Sequence, residues 1–400
     1  MKIGMMADTY KPHISGITNY IELNKRALEN AGHEVLVFTF GDLDYQDDEA
    51  RIIRSSGVPL ADTGFYLSLR YSKEAKEMLQ SMDIVHVHHP FLSGRLALHY
   101  CRPKQIPIIF TNHTRYDLLA QVYLPAMPEE ISYRLLQAYM PDFCKAVDLV
   151  ISPSAGMKGV LLALGVKSPI EVVPNGVDLD RFRKAKPLPR AEFGFSNKDI
   201  LLVYAGRIAP EKNLDLLLHS FAGIAKTIPN VYLLIIGRGQ QQHEDNLRDL
   251  THELDLQERV HFTGLIPYDQ LPSYFAMCDV VVNPSVSETF GMSTVEAMGA
   301  GLPVMGIQSI GASDIIEDGV TGFLATNSIA AFTAKLTRLC LDPNLRAQMG
   351  RSAREASSIY AIERTTNLML KHYEQLMRSK QPKKPQWEEH LRVILEEFIK

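Results

Sequence analysis

Short apolar runs alternate with amphipathic helical patterns along most of this chain. In the first half the runs that predict strands are 2–7, 34–40, 83–88, 106–111 and 149–152, and in the second half 200–204, 232–236, 260–262 and 279–283. Helical patterns fill 17–30, 129–147, 214–225, 245–254, 292–300 and 362–377. Because the apolar runs are continuous, they are typical of strands buried on both faces of a parallel sheet. The pattern predicts an α/β protein with two doubly wound parallel sheets in tandem.

A polar segment without periodicity, residues 181–198, separates the two series and contains two prolines. We therefore predict a first domain over 1–180, a linker over 181–198, a second domain over 199–360, and a C-terminal segment over 361–400. The helix of that segment is expected to cross back to the first domain, and 387–399 reads as an amphipathic helix. Ligands of such sheets bind beyond the carboxyl ends of the strands, so we expect a site in a cleft between two facing domains.

Composition excludes several classes of protein. A chain of 400 residues exceeds a single ordinary core. Its net charge of −4 argues against a dedicated nucleic-acid binder. No apolar run approaches the roughly 20 residues of a membrane-spanning helix, and no signal peptide is recognisable. The four cysteines, Cys101, Cys144, Cys278 and Cys340, lie far apart, which indicates reduced thiols in a cytoplasmic protein and no structural zinc site.

Two segments of the second half carry candidate chemistry. In VYAGRIAPEKN, Arg207 and Lys212 follow a strand and precede a helix, which suits a phosphate or diphosphate. In NPSVSETFGMSTVEAMGAGLP, Glu288 lies before a helix and Glu296 lies on it, and Gly291 allows a ligand close to the backbone. The two carboxylates could bind hydroxyls at both ends of a nucleotide sugar. Solvated surface cations, and glutamates that only favour the helix dipole, remain the alternatives.

The first half offers weaker signals. Gly16 lies between a strand and a helix, where it can present N–H groups to an anion or only form a turn. In HVHHP, His86 and His88 should point to one side of a strand and His89 to the other. His113 occupies the corresponding place after the next strand. For the histidines a structural role is as compatible with the sequence as contact with a polar ligand.

Together these motifs, with ISPS at 151–154 and VVPNGVDLDRF at 172–182, resemble the retaining glycosyltransferases of family 4 over about residues 1–380. The resemblance implies the GT-B fold, with two Rossmann-like domains. It also implies transfer of a hexose from a UDP- or GDP-sugar to an acceptor hydroxyl, with retention of configuration and without a cofactor or bound metal. A front-face reaction, in which the donor phosphate takes the acceptor's proton, is part of the same implication.

The resemblance also implies a role for individual residues. Arg207 and Lys212 would balance the charge of the diphosphate, Glu288 would bind the transferred sugar, Glu296 the ribose, and His88 would lie near the reacting face of the sugar. The remaining donor-binding positions would be Gly16, Gly237, Arg238, Gly239, Leu265, Ile266, Phe290, Gly291, Met292 and Ser293. Gly16 follows Ser15, where many members carry a second glycine.

The block 110–125, FTNHTRYDLLAQVYLP, resembles the branch that glucosylates diacylglycerol, with His113 and Tyr116 on the acceptor side. UDP-glucose is the favoured donor, and the enzyme would contact a membrane peripherally, on the inner face of the cytoplasmic membrane. However, residues 1–180 hold 17 Lys and Arg against 21 Asp and Glu, whereas membrane-associated members often have a basic first domain. The alternatives are transfer to a soluble sugar, sugar phosphate or small alcohol, epimerisation of a nucleotide sugar, or a binding module without chemistry.

Overall fold

Two separate parallel sheets organise the chain. The computed structural model describes residues 1–13, 15–59, 66–68, 70–116, 118 and 129–379. The predicted tail helix at 387–399 and much of the block 110–125 lie outside these residues. The chain divides into unit 1, residues 1–176 and 362–400, and unit 2, residues 177–361.

Unit 1 contains a seven-stranded sheet with strand order β3-β2-β1-β6-β7-β8-β9, in which every neighbouring pair is parallel. Its strands are β1 (Lys2–Met6), β2 (Glu34–Phe40), β3 (Ile52–Ser55), β6 (Ile84–Val87), β7 (Ile108–Thr111), β8 (Leu149–Ser152) and β9 (Ile170–Val172). A separate antiparallel pair is formed by β4 (Val58–Pro59) and β5 (Tyr66–Leu67). The helices are α1 (Gly16–Asn30), α2 (Lys73–Leu79), α3 (Leu92–Cys101), α4 (Glu129–Ala146), α5 (Ala155–Ala163) and α14 (Ile362–Ser379).

Unit 2 contains a six-stranded parallel sheet with strand order β12-β11-β10-β13-β14-β15. Its strands are β10 (Ile200–Ala205), β11 (Val231–Ile236), β12 (Val260–Gly264), β13 (Val280–Asn283), β14 (Val304–Ile307) and β15 (Gly322–Ala325). Its helices are α6 (Leu179–Arg183), α7 (Leu214–Ala225), α8 (Gln241–Glu253), α9 (Leu271–Met277), α10 (Met292–Ala300), α11 (Ile310–Ile315), α12 (Ile329–Leu341) and α13 (Pro343–Ala356).

The continuous apolar runs form strands that are buried on both faces. In β10, Leu202 and Tyr204 belong to one apolar cluster, while Leu201 and Val203 belong to the cluster on the opposite face. Since successive side chains of a strand point to opposite faces, five apolar residues in a row fill both clusters. This confirms the predicted α/β class with two parallel-sheet Rossmann-like domains.

The structure differs from the predicted linker. Residues 181–198 do not form an extended connection, because they contain most of α6 and a turn of 3₁₀-helix at Arg190–Phe193. Phe182 and Phe195 are buried in the core of unit 2. Arg190 donates hydrogen bonds to the carbonyl oxygen of Met277 and to Asp279. Three spaced aromatic and cationic anchors therefore attach the polar segment to unit 2, and the division between the units falls at Gly176.

The short strands β3, β9, β14 and β15 are additions to the predicted set. Each has three or four residues, and the last two contain a glycine. Gly322 belongs to this sheet for a steric reason, since a Cβ there would lie 2.0 Å from the carbonyl oxygen of Val304. Among the described residues, no helix combines the length and apolar composition needed to cross a bilayer.

Candidate functional site

The strand order of unit 2 reverses between β10 and β13, which pair directly. From these two strands the chain proceeds in opposite directions, to β11 and to β14. Loops that leave the carboxyl ends of such strands diverge and leave a crevice, the usual ligand site of doubly wound sheets. The loop after β10 carries Arg207 and Lys212, and the loop after β13 carries Glu288. Topology thus brings the two predicted motifs of unit 2 together.

Lys212 and Glu288 form an ion pair, with 2.5 Å between Nζ and Oε1. Their side chains are only 20% and 15% exposed. Burial by itself raises the pKa of the Glu288 carboxyl, but the charge of Lys212 and hydrogen bonds with Lys212, Ser285 and Asn283 outweigh it, so the pKa lies below its usual value. The carboxylate is therefore ionised at neutral pH, and Lys212 is held at the switch point.

The loop that carries Glu288 is supported by residues that sequence reasoning missed. Asn283 donates from Nδ2 to Thr294 Oγ1 over 2.9 Å and accepts the Ser285 N–H at Oδ1 over 3.2 Å. Gly311 donates its N–H to the Glu288 carbonyl over 3.0 Å, and a Cβ at Gly311 would lie 2.6 Å from that oxygen. A glycine is therefore required at this position, which only its place in the fold reveals.

Arg207 lies at the same edge, paired with Glu211. The guanidinium is 55% exposed, whereas the Glu211 side chain is 13% exposed. The hydroxyl of buried Tyr204 donates to the Arg207 carbonyl over 2.7 Å, which fixes the backbone of the loop rather than its side chain. Both predicted diphosphate-binding cations thus have carboxylate partners, one pair mostly buried and one open to solvent.

Glu296 is 3% exposed on α10. The Tyr268 hydroxyl donates to its Oε1 over 2.5 Å. Burial raises the pKa of the Glu296 carboxyl to about 7, against the opposing effects of Tyr268 and Arg181. Tyr268 had no sequence signal, although it lies two residues after the predicted Ile266. The carboxyl can accept a hydrogen bond in either state and changes protonation near neutral pH.

The glycines at the end of β11 have a packing role. A Cβ at Gly237 would lie 1.9 Å from the Gly206 carbonyl oxygen, and one at Gly239 would lie 1.9 Å from the Ile208 carbonyl oxygen. These positions join the loops after β10 and β11, as the hydrogen bond from the Ile208 N–H to the Arg238 carbonyl also shows. The side chains of Arg238 and Leu265 are exposed and that of Ile266 is partly buried. Their roles toward a nucleotide base stay predictions.

Helix α10 begins directly after Gly291, which has a positive φ of 83°. Gly291 has no side chain to cap the helix, so the N–H groups of Met292 and Ser293 in the first turn are not capped by it. The side chain of Phe290 is 2% exposed and packs edge-on against Tyr360, with 5.4 Å between ring centroids. The side chain of Phe290 is therefore part of the core, and the proposed contacts of Phe290–Ser293 with a ligand stay predictions.

Unit 1 has its own reversal of strand order, between β1 and β6. After β1 the chain reaches Ser15, whose hydroxyl accepts the Thr18 N–H over 3.2 Å and caps α1. Gly16 is exposed, and a Cβ there would meet no heavy atom within 4 Å among the described residues. Ser15 therefore fits as an ordinary N-cap, and the role of Gly16 toward a diphosphate stays a prediction.

Three histidines gather on one face beside the carboxyl end of β6. His88 and His113 share a hydrogen bond of 3.0 Å between Nδ1 and Nε2, and the His86 and His88 rings lie 4.4 Å apart. His86 is held at both nitrogens, by the Tyr373 hydroxyl and by Thr111 Oγ1, each over 2.7 Å. This confirms that His86 and His88 share a side of the strand.

Burial keeps this cluster neutral. It lowers the pKa of His86 to about 3 and, with the repulsion of the neighbouring histidines, lowers those of His88 and His113 well below the usual value. His88 is fully buried, and its Nε2 has no hydrogen-bond partner within the described part of the chain. A neutral imidazole with one unused nitrogen can donate or accept one hydrogen bond, according to its tautomer.

His89 points to the opposite side, as predicted, and its Nδ1 accepts the Asp8 N–H over 3.1 Å. Tyr116 also lies near this side, with its ring edge-on to Phe91 at 5.1 Å between centroids. The structure therefore separates the two predicted acceptor-side residues: His113 joins the histidine cluster, while Tyr116 joins an aromatic group. Tyr373 was missed because it lies 287 residues from His86 in the sequence.

Comparison with known proteins agrees with this architecture. The profile of the family Glycosyl transferases group 1 matches residues 186–356, and that of Glycosyltransferase Family 4 matches 14–181. The alpha-monoglucosyldiacylglycerol synthase of Streptococcus pneumoniae is 30% identical over 81% of this chain and 75% of its own length. The D-inositol 3-phosphate glycosyltransferase of Frankia alni is 30% identical over 73% of this chain and 74% of its own.

Among solved structures, sucrose-phosphate synthase of Thermosynechococcus elongatus superposes with a TM-score of 0.77 at 22% identity, covering 94% of this chain and 99% of that one. This likeness concerns the fold and confirms the expected GT-B class. With the two family profiles and the curated relatives, it confirms the resemblance found in the motifs: the chain belongs to glycosyltransferase family 4, with the GT-B fold.

Proposed function

We propose that this glycosyltransferase transfers a glucosyl residue from UDP-glucose to the hydroxyl of diacylglycerol or a related glycolipid, with retention of configuration. The observation that carries the proposal is the Lys212–Glu288 pair, with Arg207, at the switch point of the unit 2 sheet. A cation and a carboxylate held together suit a donor that presents a diphosphate next to a polyhydroxylated sugar.

The cations act on the leaving group. Departure of the nucleoside diphosphate breaks the bond between its oxygen and the sugar C1, and negative charge grows on that oxygen. Lys212 and Arg207 stabilise this charge, as do the N–H groups at the start of α10. The acceptor hydroxyl forms the new bond to C1 and gives its proton to the departing diphosphate oxygen. Retention by this front-face route, and independence from metal, belong to the proposal.

The carboxyls orient the donor. Glu288, held ionised by Lys212, accepts hydrogen bonds from hydroxyls of the sugar, and Glu296 accepts from the ribose. Gly16, Gly237, Arg238, Gly239, Leu265 and Ile266 are proposed to contact the rest of the nucleotide. The buried carboxyl of Glu296 and the helix start after Gly291 support the part of this proposal that concerns unit 2.

The acceptor is proposed from the relative named alpha-monoglucosyldiacylglycerol synthase. An α-glucoside formed from an α-linked nucleotide sugar is also the product of retention. His88, with its unused Nε2, would lie near the reacting face of the sugar. Such an enzyme would work at the inner face of the cytoplasmic membrane as a peripheral protein. The inositol-phosphate relative supports a second candidate, transfer to a soluble sugar phosphate.

A product assay tests both candidates. The full-length chain is incubated with UDP-glucose or GDP-glucose, with and without EDTA, and offered vesicles containing diacylglycerol or a panel of soluble sugar phosphates. We expect α-glucosyldiacylglycerol from UDP-glucose, unaffected by EDTA, with the anomer assigned by the C1-proton coupling in NMR. A thermal-shift panel of UDP, GDP and ADP identifies the base independently, because a ligand that binds the folded state raises its stability. A β-linked product, or transfer only to soluble phosphates, would refute the first candidate.

A further inference from the structure

Asn112 is the first residue after β7 and has a buried amide side chain. It is 1% exposed, and within the described residues neither Oδ1 nor Nδ2 has a hydrogen-bond partner. Its backbone is well fixed, because the N–H donates to the Ile151 carbonyl over 3.0 Å and so extends the ladder to β8. A buried amide that forms none of its bonds is unfavourable for folding alone.

Asn112 lies at the carboxyl-terminal edge of the sheet, where doubly wound sheets usually bind ligands. β7 pairs with β6, so Asn112 lies at the same carboxyl-terminal edge as His88 and His89. Side chains alternate along a strand. Asn112 therefore lies on the same face of the sheet as Phe110, while Thr111 and His113 lie on the face of the histidine cluster. Asn112 is therefore on the other side of the sheet from His88, the side to which His89 points.

That side carries an aromatic wall. Phe91 stacks on Tyr139 at 5.4 Å between ring centroids, and Tyr139 stacks on Phe143 at 5.9 Å. Phe110, on the face shared with Asn112, packs edge-on against Phe143 at 5.1 Å. Phe91 is 37% exposed at the outer end of this wall. Phe110 and Phe143 are buried in the core, whereas the rings of Phe91 and Tyr139 keep exposed surface that suits the hydrocarbon part of a ligand.

The chemistry of an amide narrows the ligand further. Asn112 offers donors and an acceptor, and a hydroxyl also donates and accepts, so one hydroxyl can use both. A phosphate only accepts and would leave Oδ1 unused. Asp8 lies on this side as well, 5% exposed, with Oδ1 accepting the Ser93 N–H over 2.7 Å. The Asp8 carboxylate disfavours an anionic ligand on this side of the sheet. The nearby cation on α3, Arg95, has its side chain exposed to solvent.

We infer that Asn112 binds a hydroxyl of an uncharged glycerolipid acceptor, and that Asp8, on the same side of the sheet, disfavours phosphorylated acceptors. Water can meet the bonds of the amide in the free protein, and the glycerolipid hydroxyl replaces it. The inference deepens the proposed function, on which it rests for the identity of the acceptor.

The test measures acceptor binding separately from transfer. Full-length wild type and Asn112→Leu are titrated with 1,2-dihexanoylglycerol and, in a second arm, with glycerol 3-phosphate and inositol 3-phosphate, by calorimetry and thermal shift. We expect wild type to bind dihexanoylglycerol saturably and Asn112→Leu at least tenfold more weakly. The UDP-induced shift should be unchanged, and the ligand-free Tm at or above that of wild type. Asn112→Ala repeats the test with a smaller side chain if leucine impairs folding.

Asn24→Ala is the matched control. Asn24 is also a buried amide of unit 1, but its Nδ2 donates to the Tyr20 carbonyl over 2.8 Å. This variant should lower the Tm without changing dihexanoylglycerol affinity. Equal affinity of wild type and the Asn112 variants overturns the inference, and so does binding of the phosphorylated ligands alone. If wild type binds dihexanoylglycerol through Asn112 but transfers nothing to it, the proposed function fails and the inference stands.

Discussion

The switch points of the two sheets differ in charge. In unit 2, Lys212 pairs with Glu288 and Arg207 pairs with Glu211. In unit 1, His86, His88 and His113 are kept neutral by burial and lie in contact with one another. Charge is useful where a diphosphate must be held and released, whereas neutral groups can exchange single hydrogen bonds with a hydroxyl. Under the proposed function, the same topology would serve two kinds of ligand contact, decided by the residues in the loops.

The largest effect is expected from removing the buried cation of unit 2, Lys212. Lys212→Met removes the cation and leaves the mostly buried Glu288 without its counter-ion, which costs about 3–5 kcal/mol of stability. Transfer should fall by about 10³-fold, because a charge aimed at the leaving group is lost. Steady-state rates and thermal unfolding measure the two effects.

The double variant Lys212→Met/Glu288→Gln separates catalysis from stability. It removes the unpaired charge and should regain most of the lost stability while remaining inactive. Lys226→Met, which removes an exposed lysine after α7, is the control for loss of charge alone. Transfer restored in the double variant would contradict the role of Lys212.

The next prediction concerns Glu296, a buried carboxyl of unit 2 whose hydrogen-bond partner is the Tyr268 hydroxyl. Its pKa is raised from 4.5 to about 7, so the folded chain binds this proton more tightly than the unfolded chain. Its protonation therefore stabilises the fold fully below about pH 4.5, and the contribution is lost as the pH rises through about 7. The free energy of unfolding of Glu296→Gln, measured relative to wild type, should therefore rise between pH 4.5 and pH 8. The expected rise is up to about 3 kcal/mol.

Chemical denaturation of both chains between pH 4.5 and 8 measures this difference. Tyr268→Phe sharpens the test, because the tyrosine hydrogen bond lowers the pKa of Glu296 and its loss should move the transition to higher pH. Glu296→Gln should also weaken donor binding by about tenfold or more if the carboxyl holds the ribose. A stability difference that does not depend on pH would exclude titration of this carboxyl.

In the neutral histidine cluster of unit 1, Tyr373→Phe is expected to have a smaller effect on the rate of transfer. The Tyr373 hydroxyl holds His86, whose ring packs against His88. Loss of one such hydrogen bond is worth about 1 kcal/mol, so the maximal rate should fall about three- to tenfold, with an unchanged KM for the donor. Tyr360→Phe removes a weaker hydroxyl contact, 3.4 Å to the Asp314 carbonyl in unit 2, and should leave the rate unchanged. Equal rates for Tyr373→Phe and wild type would show that His88 does not depend on this support.

The sequence predicted what local patterns encode and missed what the topology brings together. The apolar run 34–40 and the helix 292–300 match β2 and α10 at both ends, because periodicity is a local property. The residue pairs Tyr373–His86 and Gly311–Glu288 are contacts between segments that are distant in the sequence, so no local sequence pattern predicts them. The segment 181–198 looked like a linker because three spaced anchors, Phe182, Arg190 and Phe195, make no periodic pattern.

The smallest effect distinguishes the two ion pairs of unit 2. Arg207 is more than half exposed, so its pair with Glu211 contributes only about 0–1 kcal/mol, unlike the buried pair of Lys212. In wild type, Arg207 must give up its ion pair with Glu211 before it binds the diphosphate of UDP. Glu211→Gln removes this competing carboxylate. The inhibition constant of UDP should therefore fall, but by no more than about fivefold, since 1.4 kcal/mol corresponds to tenfold. Competition assays against the donor at low and high salt measure it, and the gain should shrink at high salt because exposed charges are screened. Weaker UDP binding in Glu211→Gln would show instead that Glu211 holds Arg207 in its working position, which would make both ion pairs part of the donor site.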